Sequence, residues 1–180
     1  MVLFCAQNLN VADPQGLGQG MGAMLDADGY VIKSVISILA RYLDASALCK
    51  VITRCCSVLD KLTKDSPEGV RCAVQCGGIE CVLRVVMAWN EEKSNGHKHV
   101  VVSALCFLQN VTLHQDAHKK RVCHSGGCQH ILGILAVNGK RETHDDEEID
   151  TNIISNALKL LSIFTSVSVT SAKVCGYDIT

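Results

Sequence analysis

Residues 66–90 read SPEGVRCAVQCGGIECVLRVVMAWN, and the fold turns on how this stretch is parsed. Ser66 supplies a hydroxyl that can cap a helix, and Pro67 suits the first helical position, where its missing N–H is not needed. The pair Gly77-Gly78 ends that short helix, because glycine tolerates the positive φ of a sharp reversal. Beyond it, apolar residues at 79, 82, 83, 86 and 87 form one helical stripe, which predicts a second helix over residues 79–89. Residues 90–96 read as a polar loop and residues 99–112 as a third, longer helix. A period of two fits none of these segments over comparable length.

Outward from this stretch the same plan recurs. Gly29, Gly78, Gly127 and Gly176 stand at intervals of 49 residues (78−29, 127−78, 176−127). A second marker, Ala104-Leu105-Cys106-Phe107-Leu108-Gln109-Asn110-Val111-Thr112, is echoed 49 positions earlier by residues 55–63 and 53 positions later by residues 157–165. Leu3-Phe4-Cys5-Ala6-Gln7-Asn8 matches the tail of the same element. The third unit carries a longer acidic loop, His144-Asp145-Asp146-Glu147-Glu148-Ile149-Asp150, read as solvated. The chain therefore divides into units over about 13–64, 65–113 and 114–167, with partial units at 1–12 and 168–180, in one domain spanning 1–180.

Composition agrees. With 180 residues, 48% of them apolar, the chain is richer in apolar groups than disordered sequences are. Two prolines and few aromatics favour an all-α fold over a β-sandwich. No apolar run approaches the roughly 18 residues of a membrane span. MVLFCAQNLN lacks the basic start of a secretory signal, and a net charge of −1 gives no global pull toward nucleic acid or acidic membrane. The expected compartment is the cytoplasm, with the nucleus as its alternative.

Eleven cysteines in such a chain read as reduced thiols serving as small hydrophobes. The competing reading is a metal site, from Cys123, His124, Cys128 and His130 around a Gly-Gly turn or from the i,i+4 pair Cys72 and Cys76. Neither comes with a CxxC pair, so no metal and no cofactor are expected. Gly16-Leu17-Gly18-Gln19-Gly20 lacks the preceding strand and the Lys-Ser/Thr of a phosphate loop.

A short helix, a glycine turn, an apolar helix opening Gly-Gly-Ile and a long helix ending Ala-Leu-x-x-Leu-x-Asn-Val together resemble the armadillo repeat, most closely from Ser66 to Ala136. That resemblance implies a right-handed α-solenoid of stacked three-helix repeats, about three of them with partial repeats at the ends. It further implies a concave groove lined by the third helices, in which an extended partner segment lies. In importin-α-like members a Trp four residues before an Asn clamps a basic peptide. Here the Trp position holds Phe4, Ser57, Cys106 and Lys159, and the Asn position Asn8, Lys61, Asn110 and Ile163, so basic signals are not the expected ligand.

Counting back from the Asn position at helical spacing selects Lys50, Arg54, Ser57 and Lys61, then His99, Ser103, Cys106 and Asn110, then Asn152, Asn156, Lys159 and Ile163. Cations occur among these twelve and carboxylates do not. Such a strip attracts an acidic or phosphorylated extended segment, with amides holding its backbone, as in β-catenin-like armadillo proteins. The expected function is a non-catalytic scaffold for a protein partner. Alternatives are a structural or oligomerisation module, self-associating through uncapped ends, a zinc module, and a cysteine enzyme using Cys106 or Cys123 with His99, His124 or His130.

Overall fold

A computed structural model describes residues 29–42, 48–90, 95–113, 115–138 and 147–166. Over these residues the chain is all-α, with eight helices and no strand. They are α1 (Tyr30–Tyr42), α2 (Cys49–Thr63), α3 (Pro67–Gln75), α4 (Gly78–Asn90), α5 (Asn95–Thr112), α6 (Asp116–His124), α7 (Gly127–Asn138) and α8 (Glu147–Thr165). The readings at Phe4, Asn8, the glycines of 16–22 and Gly176 lie outside the described residues.

Local chemistry sets the boundaries as the sequence predicts. The Ser66 hydroxyl accepts the Gly69 amide at 3.0 Å, and Pro67 occupies the first turn of α3. Thr63 and Thr112 each close the last turn of a long helix, donating back to Leu59 O at 2.8 Å and to Leu108 O at 2.6 Å. Between the short helices and the next ones, Gly77 and Gly126 take φ of +78° and +79°, and Gly29 takes +57°. Each of these three carbonyls accepts the amide four residues on: Lys33 N, Cys81 N and His130 N, at 3.0, 3.0 and 3.1 Å. The equivalent glycines are thus 29, 77 and 126, where the sequence suggested 29, 78 and 127. The first of each Gly-Gly pair provides the positive φ. The second lets the new helix approach the old one, since a Cβ on Gly78 would stand 2.7 Å from Ala73 O and one on Gly127 2.8 Å from Val122 O.

Helix α5 is the centre of the core. Val100, Val101, Ala104, Leu105, Phe107, Leu108 and Val111 are all buried, which leaves it little free surface. It packs against α2 on one side, α8 on another and α4 on a third. Helices α1, α4 and α7 also follow one another, α1 on α4 and α4 on α7. The main contacts of each long helix are thus with its own unit and the neighbouring ones. Full burial of a Leu, Ile or Phe contributes roughly 1.5–3 kcal/mol, and Ile32, Leu39, Ile52, Leu59, Ile79, Phe107, Ile131 and Leu160 are each at most 2% exposed.

Two boundaries depart from expectation, both through polar residues that find partners. Helix α5 begins at Asn95, inside the predicted polar loop. Buried His97 lies on the Trp89 ring of α4 with centroids 4.7 Å apart, and buried Lys98 forms a 2.8 Å ion pair with Asp150. The acidic run at 144–150 is likewise no mere solvated loop: residues 147–150 are the first turn of α8, and Asp150 is buried against α5. A charge is stable in such a position only when it is paired. Among the described residues no single helix is long and apolar enough to cross a membrane.

Candidate functional site

The long helices α2, α5 and α8 lie side by side, and each leaves one face in solvent. On α2 that face carries exposed Lys50, Arg54 and Lys61 with half-buried Ser57. On α5 it carries exposed His99 and half-buried Ser103, Cys106 and Asn110. On α8, Asn152 and Lys159 are exposed, while Asn156 and Ile163 are half-buried.

Burial relates α8 to α5 at more than one offset. At an offset of 49, Val101, Ala104, Leu108 and Val111 of α5 correspond to Asp150, Ile153, Ala157 and Leu160, all buried. At the offset of 53 that the sequence echo suggested, buried Leu105 and Thr112 would correspond to exposed Leu158 and Thr165. The two offsets differ by about one helical turn, so buried Val100, Ala104 and Phe107 still meet buried Ile153, Ala157 and Leu160 at 53. At the offset of 49, His99, Ser103, Cys106 and Asn110 stand level with Glu148, Asn152, Ser155 and Lys159. Asn152 and Lys159 belong to either set.

Hydrogen bonds tie the three helices together along this face. The Asn110 amide donates to Asp60 O at 3.0 Å and to Asp60 Oδ1 at 2.9 Å, joining α5 to α2. The Gln109 amide donates to Asn156 O at 2.9 Å and to Asn156 Oδ1 at 3.1 Å, joining α5 to α8. Asn110 and Asn156 therefore hold the helices together through part of their polar capacity. Asn156 also donates to Asn152 O at 2.9 Å, so two of the four hydrogen-bonding sites of each amide remain.

Sequence reasoning missed Asp60, Lys64 and Gln109, each one to three residues from a selected position. Asp60 is the consequential one. Burial pushes its carboxyl up, while the Asn110 amide and then Lys64 and Lys61 draw it back down. Cys106 lies between the outer helices: burial raises its thiol, Asp60 raises it further, and Lys159 and Lys64 lower it. Asp60, Lys61, Lys64, Cys106, Asn110 and Lys159 thus form one electrostatic neighbourhood drawn from three helices. It has three lysines and one carboxylate, so the cationic excess survives although the surface is mixed. Lys50 and Arg54 extend the positive charge along α2.

Elsewhere, the turn at Gly126 brings Cys123 Sγ within 3.4 Å of Cys128 Sγ. Among the described residues no group of three His, Cys, Asp or Glu side chains is gathered as metal ligands would be. His118 is occupied structurally, its Nδ1–H donating to Val111 O at 2.8 Å across the turn from α5 to α6. Cys55, Cys56 and Cys81 adjoin one another in the core, where burial pushes the Cys55 thiol up to about 11 and raises Cys56 and Cys81 as well. Thiols held neutral in this way are poor nucleophiles. Comparison with protein-family models, with curated proteins and with solved structures finds no match to this chain.

Proposed function

We propose that this chain is an armadillo-type scaffold that binds an extended acidic or phosphorylated protein segment across the exposed faces of α2, α5 and α8, and that it is not an enzyme. The observation that carries this reading is the neighbourhood of Lys61, Lys64 and Lys159 around Asn110 and Cys106, prolonged by Lys50 and Arg54. Cations on neighbouring helices meet successive acidic side chains of an extended segment, and amides between them suit its backbone groups. The order of helix contacts supports a solenoid, in which every unit packs on the next and the third helices line one surface.

The test is binding of fluorescent extended peptides, acidic, phosphorylated and basic, to the wild type and to the combined Lys50→Glu, Arg54→Glu, Lys61→Glu variant. Selective binding of acidic or phosphorylated peptides is expected, weakened by salt and reduced about tenfold or more in the variant. Affinity that ignores both salt and the charge reversal sinks the groove. Asp60→Asn sharpens the result, since removing the one central carboxylate should tighten acidic peptides a few-fold.

A second reading has its own observation. Leu132, Val137 and Leu158 are 46%, 38% and 53% exposed on α7 and α8, apolar surface of the kind that favours contact with a second copy. Light scattering over a wide concentration range separates this from a monomeric scaffold.

A further inference from the structure

Two groups among the described cysteines stand in contrasting environments. Cys55, Cys56 and Cys81 are enclosed in the core. Cys123 and Cys128 flank a turn instead, one half-buried on α6 and one in the first turn of α7, with their sulfurs 3.4 Å apart. A disulfide needs about 2.05 Å between sulfurs, so the two atoms need only a small approach. The corresponding positions 49 residues earlier are Val74 and Ile79, both buried. Hydrocarbon is therefore sufficient for packing at this turn, and the sulfur pair brings chemistry that packing does not demand.

We infer that Cys123 and Cys128 form a reversible oxidation site, closing an intrachain disulfide across the Gly126 turn at the expense of a small-molecule disulfide such as oxidised glutathione. Cys123, the less buried of the two, gives up its proton to solvent and attacks one sulfur of the oxidant. The oxidant's S–S bond breaks, one glutathione thiolate leaves and takes up a proton, and a mixed disulfide remains on Cys123. Cys128 then loses its proton and attacks the Cys123 sulfur, expelling the second glutathione thiolate, which is protonated in turn. Two cysteine thiols and one glutathione disulfide become one protein disulfide and two glutathione thiols. Two electrons pass from the protein to the oxidant. The product welds α7 to α6, the helix that Arg121 already joins to α4 through Glu80.

The site can be read in a single peptide, because trypsin cuts after Arg121 and Lys140 and releases residues 122–140 with both cysteines. The folded full-length chain is equilibrated without oxygen in glutathione buffers of graded ratio, quenched in acid, denatured and alkylated. Peptide 122–140 should lose the mass of two hydrogens and refuse alkylation at ratios where Cys55, Cys56 and Cys81 are still fully alkylated. In concentrated urea its disulfide should form with an equilibrium constant at least about tenfold lower, since the fold holds the sulfurs together. Cys128→Ala should stop at the Cys123–glutathione adduct, and circular dichroism confirms that this variant folds. The inference is overturned if the wild type also stops at the adduct, if both cysteines stay alkylated while core thiols oxidise, or if urea leaves the equilibrium unchanged.

Discussion

At Cys76-Gly77-Gly78 and again at Ser125-Gly126-Gly127, the chain leaves a nine-residue helix and turns into the next one. The hydrogen bonds repeat bond for bond. Gly77 N donates to Val74 O and Gly126 N to Cys123 O, at 3.2 and 3.0 Å, and Cys76 N and Ser125 N both reach the carbonyl four residues back at 3.0 Å. What surrounds the two turns does not repeat. The entry to α3 has a Ser66 cap bonded to Gly69, whereas the entry to α6 has Gln115 with no side-chain cap bond, and His118 stands where Gly69 did. Val74 and Ile79 on one side are matched by two sulfurs on the other. Backbone requirements are thus held at fixed spacing, while side-chain filling drifts wherever volume alone must be met.

The largest expected effect comes from the second glycine of each pair. Valine at Gly78 would drive its Cβ onto Ala73 O and toward Phe107 Cζ, 3.2 Å away, and valine at Gly127 would meet Val122. Each should cost about 3 kcal/mol or more, lowering the thermal midpoint by roughly 6–12 °C. Urea unfolding of the two variants checks it. A large loss at Gly78 with none at Gly127 would break the equivalence of the turns.

Next comes the core on which the first turn is built. Cys55, Cys56 and Cys81 pack there, and 49 residues on their places are taken by Ala104, Leu105 and His130. Burial pushes the Cys55 thiol from an ordinary value of 9.0 up to about 11, so the folded state favours the protonated form. Its contribution is complete below pH 9 and is lost as pH rises through 11, a loss on the order of 2–3 kcal/mol. Cys56 and Cys81 are raised in the same direction and steepen the loss. Stability measured by urea from pH 7 to 11 should therefore fall on the alkaline side, and Cys55→Ala should flatten that limb while lowering stability at neutral pH.

Smaller is the effect at the first glycines. A Cβ at Gly77 meets nothing nearer than Glu80 Oε2 at 4.0 Å, so Gly77→Ala pays only for a left-handed backbone, about 1–2 kcal/mol. Gly126→Ala adds a tight approach to His130 Nε2 at 3.3 Å and should cost slightly more. Asparagine, which tolerates positive φ, should recover part of the loss at both. If alanine at 77 costs as much as valine at 78, the division of labour within the pair is wrong.

These turns were the legible part of the sequence, because Pro67 and the glycine pairs act through their own backbone. The start of α5 was not legible: residues 90–96 read as a loop, and His97 and Lys98 take their places in the helix through Trp89 and Asp150. The candidate site was legible in outline, through the exposed cations of α2. Asp60 was not, because only the packing of Asn110 against α2 makes that carboxylate part of the surface.

The two turns also differ in a way that can be reversed. Gln115 has the extended N-cap backbone, with φ −134° and ψ +112°, close in kind to Ser66 with φ −121° and ψ +96°. The Gln side chain is too long to fold back on the first turn, so the amides of that turn lose the partner that Ser66 gives Gly69. A Gln115→Ser substitution should therefore stabilise the chain by about 0.5–1 kcal/mol, and Ser66→Ala should destabilise it by about 1 kcal/mol. Gln115 is exposed, so nothing in the core has to move to admit the change. Exchanging both caps in one chain should nearly cancel, because the sites lie in different units, and changes at separate sites add. A double variant much weaker than the sum of its parts would mean that the α6 entry is held by His118 on Val111 O instead, and that the two turns are alike in backbone but not in what keeps them closed.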